Sequence, residues 1–262
     1  MEVEKVKEWL MKAHKTLDPP GCYTVYMPKP LSTDAAITLG IVHEHRFAFY
    51  YWALYHRKVT LKNSASGINP PDLITIDWHD DIGAPSDFSE NELSNLDISD
   101  ELEVGFYCWS RLRALNDGHV SPAIFLRFFK NVHALIKQDQ GETVSIRKDI
   151  NGDDHHIFYH YQYDSLIKNL KNSNIDRVFL DIDLDYFTVD GSGTPMHENE
   201  IRDLINLEGE FMTWILPRLE GMTIALEPSY CGNVDNCIRF LDIINEELFS
   251  RSLCAKETRW NR

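Results

Sequence analysis

The sequence predicts an α/β domain with a mostly parallel sheet and helices on both faces. Three observations predict it. Apolar runs of strand length alternate with segments of helical periodicity along the chain. Clusters of acids follow the apolar runs, and open α/β sheets bind ligands outside the carboxyl ends of their strands. Hydrophobic residues make up 43% of the 262 residues, enough for one full core, so 1–262 reads as a single domain.

The elements follow in order. Val3, Val6, Trp9 and Leu10 recur at helical spacing, which predicts an amphipathic helix ending near Pro19-Pro20-Gly21. Cys22 to Met27 reads as a strand closed by Pro28 and Pro30. Ala36 to Val42 is a second apolar run, leading into His43-Glu44-His45 and then an apolar, helix-like piece from Arg46 to Tyr55. Leu73 to Ile76, led in by Pro70-Pro71, is a buried strand that breaks into Asp77-Trp78-His79-Asp80-Asp81. An acidic stretch from Ser86 to Glu103 reads by default as a solvated loop, with part of the mouth of a site as the alternative. Gly105 to Leu115 is helical. Asn116 to Pro122 is a turn-rich break carrying His119, and Ala123 to Phe129 resumes an apolar helix.

From Val132 to Tyr163 the pattern alternates. Asn151-Gly152 is a hairpin signal, and His155, His156 and His160 lack acid partners at matching spacing, so this part reads as an edge hairpin. Asp164 to Asn172 is a helix with an Asp N-cap. Val178 to Asp185 is a strand entering three alternating acids, and Gly191 to Pro195 a tight loop behind it. Glu198 to Leu219 is largely helical. Met222 to Leu226 is a buried strand ending in Glu227, a candidate substrate ligand, and Val234 to Ser250 is the closing helix.

Composition bounds the partners. A net charge of -15 disfavours nucleic acid and anionic membrane and suits a cationic substrate. Five scattered cysteines without a CxxC pair suit a reducing, cytoplasmic setting. The Met-Glu-Val-Glu start lacks a secretory signal, and no apolar run is long enough to span a bilayer.

The two acid clusters carry the chemistry. Along an extended chain Asp77, His79 and Asp81 point to one side, as do Asp181, Asp183 and Asp185. Carboxylates crowded on a buried face repel and take up protons, and a divalent cation relieves that. Two clusters suggest two cations sharing bridging carboxylates, about 3.5–4 Å apart and activating one water. Oxygen and imidazole ligands suit manganese, with iron, zinc or magnesium as alternatives.

These residues resemble a known family. Asp77-Trp78-His79-Asp80-Asp81 resembles the Asp-x-His-x-Asp motif of the arginase/agmatinase (ureohydrolase) superfamily, and Leu180-Asp181-Ile182-Asp183 its Phe-Asp-x-Asp motif. Gly193-Thr194-Pro195 resembles the Gly-Thr-Pro that trails the latter. His45 resembles the first metal-ligand histidine, His119 a catalytic loop histidine, and Glu227 the glutamate that grips the guanidinium. The resemblance implies an arginase-like three-layer α/β/α fold and two manganese ions. His45, Asp77, Asp81 and Asp181 would hold one, and Asp77, His79, Asp181 and Asp183 the other. Asp81 or His119 would protonate the departing amine.

The chain departs from the family in places. The Gly-Gly-Asp before the first histidine is absent, so His43 competes with His45, whose register with the helix matches better. Gly83 stands where arginases hold the free amino acid's carboxylate with an asparagine. Asp185 is extra, either replacing a motif acid or supporting one. These departures are similar to the small peptide-arginase branch, as are the compact length and the Asp-Ile-Asp-Leu-Asp-Tyr-Phe strand. That branch implies cytoplasmic hydrolysis of arginine side chains in a precursor peptide to ornithine and urea, by a chain that in this family is often a homo-oligomer. The alternatives are a small-molecule arginase or agmatinase, a deacetylase-like metal amidase, and a non-enzymatic binding protein on the same scaffold.

Overall fold

A computed structural model describes residues 18–30, 36–63, 70–83, 88–138, 141, 143–191, 193–249 and 253. The helix expected before Pro19 lies outside the described residues. All eight described strands join one sheet: β1 (Cys22–Pro28), β2 (Ala36–Val42), β3 (Asp72–Asp77), β4 (Val132–Ile136), β5 (Val144–Lys148), β6 (Asp154–His160), β7 (Val178–Asp183) and β8 (Leu219–Ala225). Their spatial order is β1-β2-β8-β7-β3-β4-β6-β5. The six inner strands run parallel, and only the edges β1 and β5 pair antiparallel.

Eight helices are described: α1 (Ala48–Asn63), α2 (Glu90–Ser94), α3 (Glu101–Ser110), α4 (Val120–Phe125), α5 (Tyr163–Lys171), α6 (Glu198–Leu204), α7 (Glu210–Ile215) and α8 (Val234–Phe249). The strand period of two divides them between the faces. Ile74, Ile76, Leu180, Ile182 and Ile224 pack with Leu166 and Leu170 of α5, Ile201 of α6, Phe211 of α7 and Phe240 of α8. Leu73 and Phe179 turn the other way, onto Phe49 and Trp52 of α1, Val104 of α3 and Ile124 of α4. The result is the three-layer α/β/α arrangement that the resemblance implies. Central strands buried on both faces explain the continuous apolar runs.

Several boundaries differ from the sequence reading. The acidic stretch is not simply loop. Ser89 caps α2, with its side chain accepting from the Glu92 N–H, and Asp100 caps α3 by accepting from Leu102 and Glu103. Its acids fill first turns, where the helix dipole favours them. Val132–Ile136 is a fully buried inner strand rather than part of an alternating hairpin. Only β5 and β6 form that hairpin, around Asn151-Gly152. Gln162, not Asp164, is the residue before α5, and Asp164 lies in its first turn. The stretch from Glu198 to Leu219 breaks into α6, α7 and a 3-10 turn at Leu216–Arg218, because the chain reverses through Asn206 and Gly209.

Candidate metal centre

Four adjacent strands, β2, β8, β7 and β3, bring the site together. Each ends in chain that turns polar side chains over the carboxyl edge. His45 follows β2 in a 3-10 turn, Glu227 follows β8, Asp183 ends β7, and Asp77 ends β3. His45 is buried and His43 exposed, so His45 is the histidine that meets the acids.

The register separates two layers of acids. Thr75 pairs with Asp181 across β3 and β7, and Asp181 pairs with Thr223 across β7 and β8. Paired residues share a face, so Asp181 lies between two hydroxyls. Thr75 Oγ1 donates to Asp181 Oδ2 at 2.8 Å and Thr223 Oγ1 to Oδ1 at 2.5 Å. His45 Nε2 lies 2.8 Å from the same Oδ2. Both Asp181 oxygens are therefore engaged, and Asp181 lies in none of the residue groups that can hold a metal ion.

One pleat nearer the edge the geometry changes. His45 Nδ1 faces Asp81, Asp183 and Asp77 oxygens at 2.9, 3.0 and 3.3 Å. His45, Asp77, Asp81 and Asp183 form one group that can hold a metal ion. Asp77, His79 and Asp185 form a second, which shares Asp77 with the first, and His45, Asp81 and His119 form a third. Asp185, left open between two roles by the sequence, thus joins the site. Its Oδ1 accepts from the Trp78 N–H at 3.0 Å, and its Oδ2 lies 3.0 Å from His79 Nδ1. The first group is fully buried. In the second, the His79 side chain is 35% exposed against 2% for Asp77.

The acids do not converge by strand alternation alone. β3 stops at Asp77, and Asp81 adopts a left-handed φ of 44°. β7 stops at Asp183, and Asp185 lies in a 3-10 turn over Leu184–Phe187. In both segments a bend after the strand, rather than a continued pleat, aims the last acid.

The electrostatics are those of a centre that can hold a cation. Burial, and then the neighbouring acids, push Asp77 and Asp183 well above the ordinary carboxylate range. Burial raises Asp81 too, against the opposing pull of His45. Burial disfavours a charged His45, yet Asp181 and Asp183 outweigh it and hold the imidazole well above its usual range. For His79, burial is likewise outweighed by Asp185. Asp77 Oδ2 is buried with no hydrogen-bond partner. Such a set of oxygen and imidazole donors, whose protons a cation can displace, fits a divalent ion.

A cavity of about 480 Å³ opens onto this edge, lined by His79, Asp81, Asp183, Asp185 and Glu227, with Tyr230 at its side. Glu227 is buried at a left-handed φ of 39°. Its Oε1 accepts from the His45 backbone N–H and from Asn116 Nδ2. Burial pushes its carboxyl up to about 7, against the His45 N–H. His119 is not on an open loop. It precedes α4, buried, stacked on Trp52 at 5.2 Å and edge-on to His45 at 4.3 Å. Its Nδ1–H donates to the Asn116 carbonyl at 3.1 Å, while Nε2 is buried without a hydrogen-bond partner. Burial and then His45 hold His119 well below its usual range. It lies behind Asp81, 3.9 Å from it, and outside the cavity lining.

Sequence reasoning missed Thr75, Thr223 and Asn116. The threonines were legible in principle, since Thr75 precedes Asp77 by two residues on a strand and so shares its face. Asn116 carries no such sign, because its contact with Glu227 spans the fold. The histidines His155 and His160 stay in the edge hairpin, where His155 binds Asp149 and the Lys130 carbonyl. No protein-family model matches the chain, and a search of curated proteins finds no significant match.

Proposed function

We propose that this chain is a binuclear metal hydrolase that cleaves the guanidinium of arginine side chains in a precursor peptide, giving ornithine and urea. One observation carries the reading: two metal-capable groups share Asp77, and their Asp81, Asp183, His79 and Asp185 line a cavity that also holds the Glu227 carboxylate. In this reading His45, Asp77, Asp81 and Asp183 hold one manganese, and Asp77, His79 and Asp185 hold the other. When bound, a pair of such cations supplies a nucleophilic water near neutral pH.

The chain's own residues do the rest. Glu227 pairs with the planar guanidinium, a match of fork to carboxylate. The His45 N–H and Asn116 amide fix the orientation of Glu227. Water adds to the guanidinium carbon, the bond to the side-chain nitrogen breaks, and that nitrogen takes a proton. Asp81 faces the cavity and passes the proton on, and His119 backs Asp81. Urea leaves and ornithine remains in the peptide. Gly83 lines the cavity without a side chain to hold a free amino acid's carboxylate, and Arg113 there is engaged by Asp117 at 3.1 Å. Both features support an arginine whose backbone is part of a peptide. The cytoplasm is the proposed compartment. No described helix is long and apolar enough to cross a membrane.

The test is urea release with manganese from arginine, agmatine and arginine-containing peptides. Release from peptides, with little from the small molecules, is expected. Preference for agmatine favours a small-molecule ureohydrolase, and release from none of the three removes the reading.

A further inference from the structure

Lys137 follows β4, a strand that contributes no residue to the metal groups, yet its side chain crosses to both segments that do. Its Nζ donates to the carbonyls of Tyr186 and Thr188 at 2.6 and 2.7 Å and lies 2.9 Å from Met196 Sδ. Three protons thus meet three acceptors. The ammonium also lies over the rings of Tyr186, at 4.4 Å, and Trp78, at 5.4 Å. The backbone N–H groups of Lys137 and Gln138 both donate to the Trp78 carbonyl, at 3.2 and 3.0 Å.

These partners are not scattered. Trp78 sits between Asp77 and His79. Tyr186 and Thr188 lie one and three residues after Asp185, and Thr188 returns both its N–H and its hydroxyl to the Asp185 carbonyl. The Trp78 N–H holds Asp185 Oδ1. One cation therefore fastens the two chain segments whose side chains form the more exposed metal group, Asp77, His79 and Asp185. Burying an ammonium is costly. Burial depresses the Lys137 ammonium to about 8, and an apolar residue would pack there without that cost if space filling were the only need.

We infer that Lys137 is the positioning residue of the outer half of the centre. It holds Trp78 and the turn after β7 so that His79 and Asp185 meet one cation. In the inner group of His45, Asp77, Asp81 and Asp183, the histidine is held instead by Asp181, which the threonines fix, and this group does not depend on Lys137. The inference rests on the binuclear reading proposed above.

The experiment titrates the metal-stripped full chain with manganese, reading free ion by electron paramagnetic resonance and bound ion by elemental analysis. Wild type takes up two equivalents. Lys137→Met retains the first at wild-type affinity and binds the second about 10–100-fold more weakly, the usual effect of losing a group that orients ligands. Lys137→Arg, which keeps the cation over the rings, recovers most of the second. If Lys137→Met fails to fold, Lys137→Gln carries the same expectation. Two equivalents at unchanged affinity in the uncharged variant overturn the inference alone. Equal weakening of both equivalents marks a merely structural lysine and also overturns it. No uptake by wild type overturns the binuclear reading and this inference together.

Discussion

Asp181 and Asp183 are two residues apart on one strand and share one face, yet their surroundings assign them different work. Asp181 spends its oxygens on Thr75, Thr223 and His45. With a cation bound, His45 Nε2–H would donate to Asp181 and Nδ1 would turn its lone pair to the ion among the three carboxylates. This is the usual arrangement in which a carboxylate orients a ligating imidazole. Asp183 accepts from the Asp185 N–H through Oδ1 at 3.1 Å and keeps Oδ2 toward His45 Nδ1 at 3.0 Å. Asp183→Ala is therefore expected to abolish binding of at least one manganese, while Asp181→Asn keeps both and weakens the inner one about tenfold. Equilibrium dialysis with metal analysis separates the two, and full loss in Asp181→Asn would restore it as a ligand. At the same scale, Glu227→Gln keeps the metal and weakens substrate capture, read as a raised KM for an arginine peptide with manganese content unchanged.

Among elements, the loops behind β7 and β8 depend on a glycine pair. Gly193 has φ of +94°, and a Cβ there would sit 2.4 Å from Gly232 Cα. The Asn236 amide ties the pair by donating to the Gly193 and Cys231 carbonyls. Gly193→Ala combines positive-φ strain with a backbone clash, so a loss of about 1–3 kcal/mol is expected. Because Glu227 and Tyr230 lie on the loop it would displace, KM should rise alongside the fall in unfolding temperature. An unchanged melting curve would show that the loops yield freely. Elements also show what the sequence made legible. Buried parallel strands announce themselves as apolar runs, so β2, β3, β7 and β8 could be read, and the acids at their ends with them. Breaks governed by turns could not be read as well. The chain from Glu198 to Leu219 keeps apolar residues throughout, because α6 and α7 pack on the same face of the sheet, and the reversal between them leaves the pattern intact. The reading of Asp181 as a ligand rests on pattern in the same way. Its spacing matches a ligand's, and only the cross-strand threonines, brought in by register, reveal where its oxygens go.

At the scale of the whole molecule, two apolar layers enclose a sheet whose carboxyl edge gathers Asp77, Asp81, Asp183 and His45 away from water. The folded protein holds the three carboxyls above their ordinary value of 3.8 and the imidazole above 6.5. Without a cation, each binds protons in the fold that the unfolded chain has already released. Stability then falls as pH rises, because the native state is the more protonated one. The contribution is complete below about 3.8 and is lost as pH climbs through the raised folded values. Carboxylates with depressed values, such as Asp149, act in the opposite sense, but only as pH falls below the ordinary range. Between about pH 5 and 8 the lowered His119 and His56 oppose the trend, but His79 and Glu227, both raised, join the cluster, and together these set the slope. Manganese replaces those protons, and its affinity grows as the ligands deprotonate. The expected result is a chelator-treated protein whose melting temperature declines from pH 5 to 8, and a manganese-loaded one whose melting temperature holds or rises over the same range. The two curves should diverge with pH. Parallel curves, measured by scanning fluorimetry in both conditions, would mean that these acids ionise in the fold without a counter-charge, and the electrostatic case for a cation at this edge would fail.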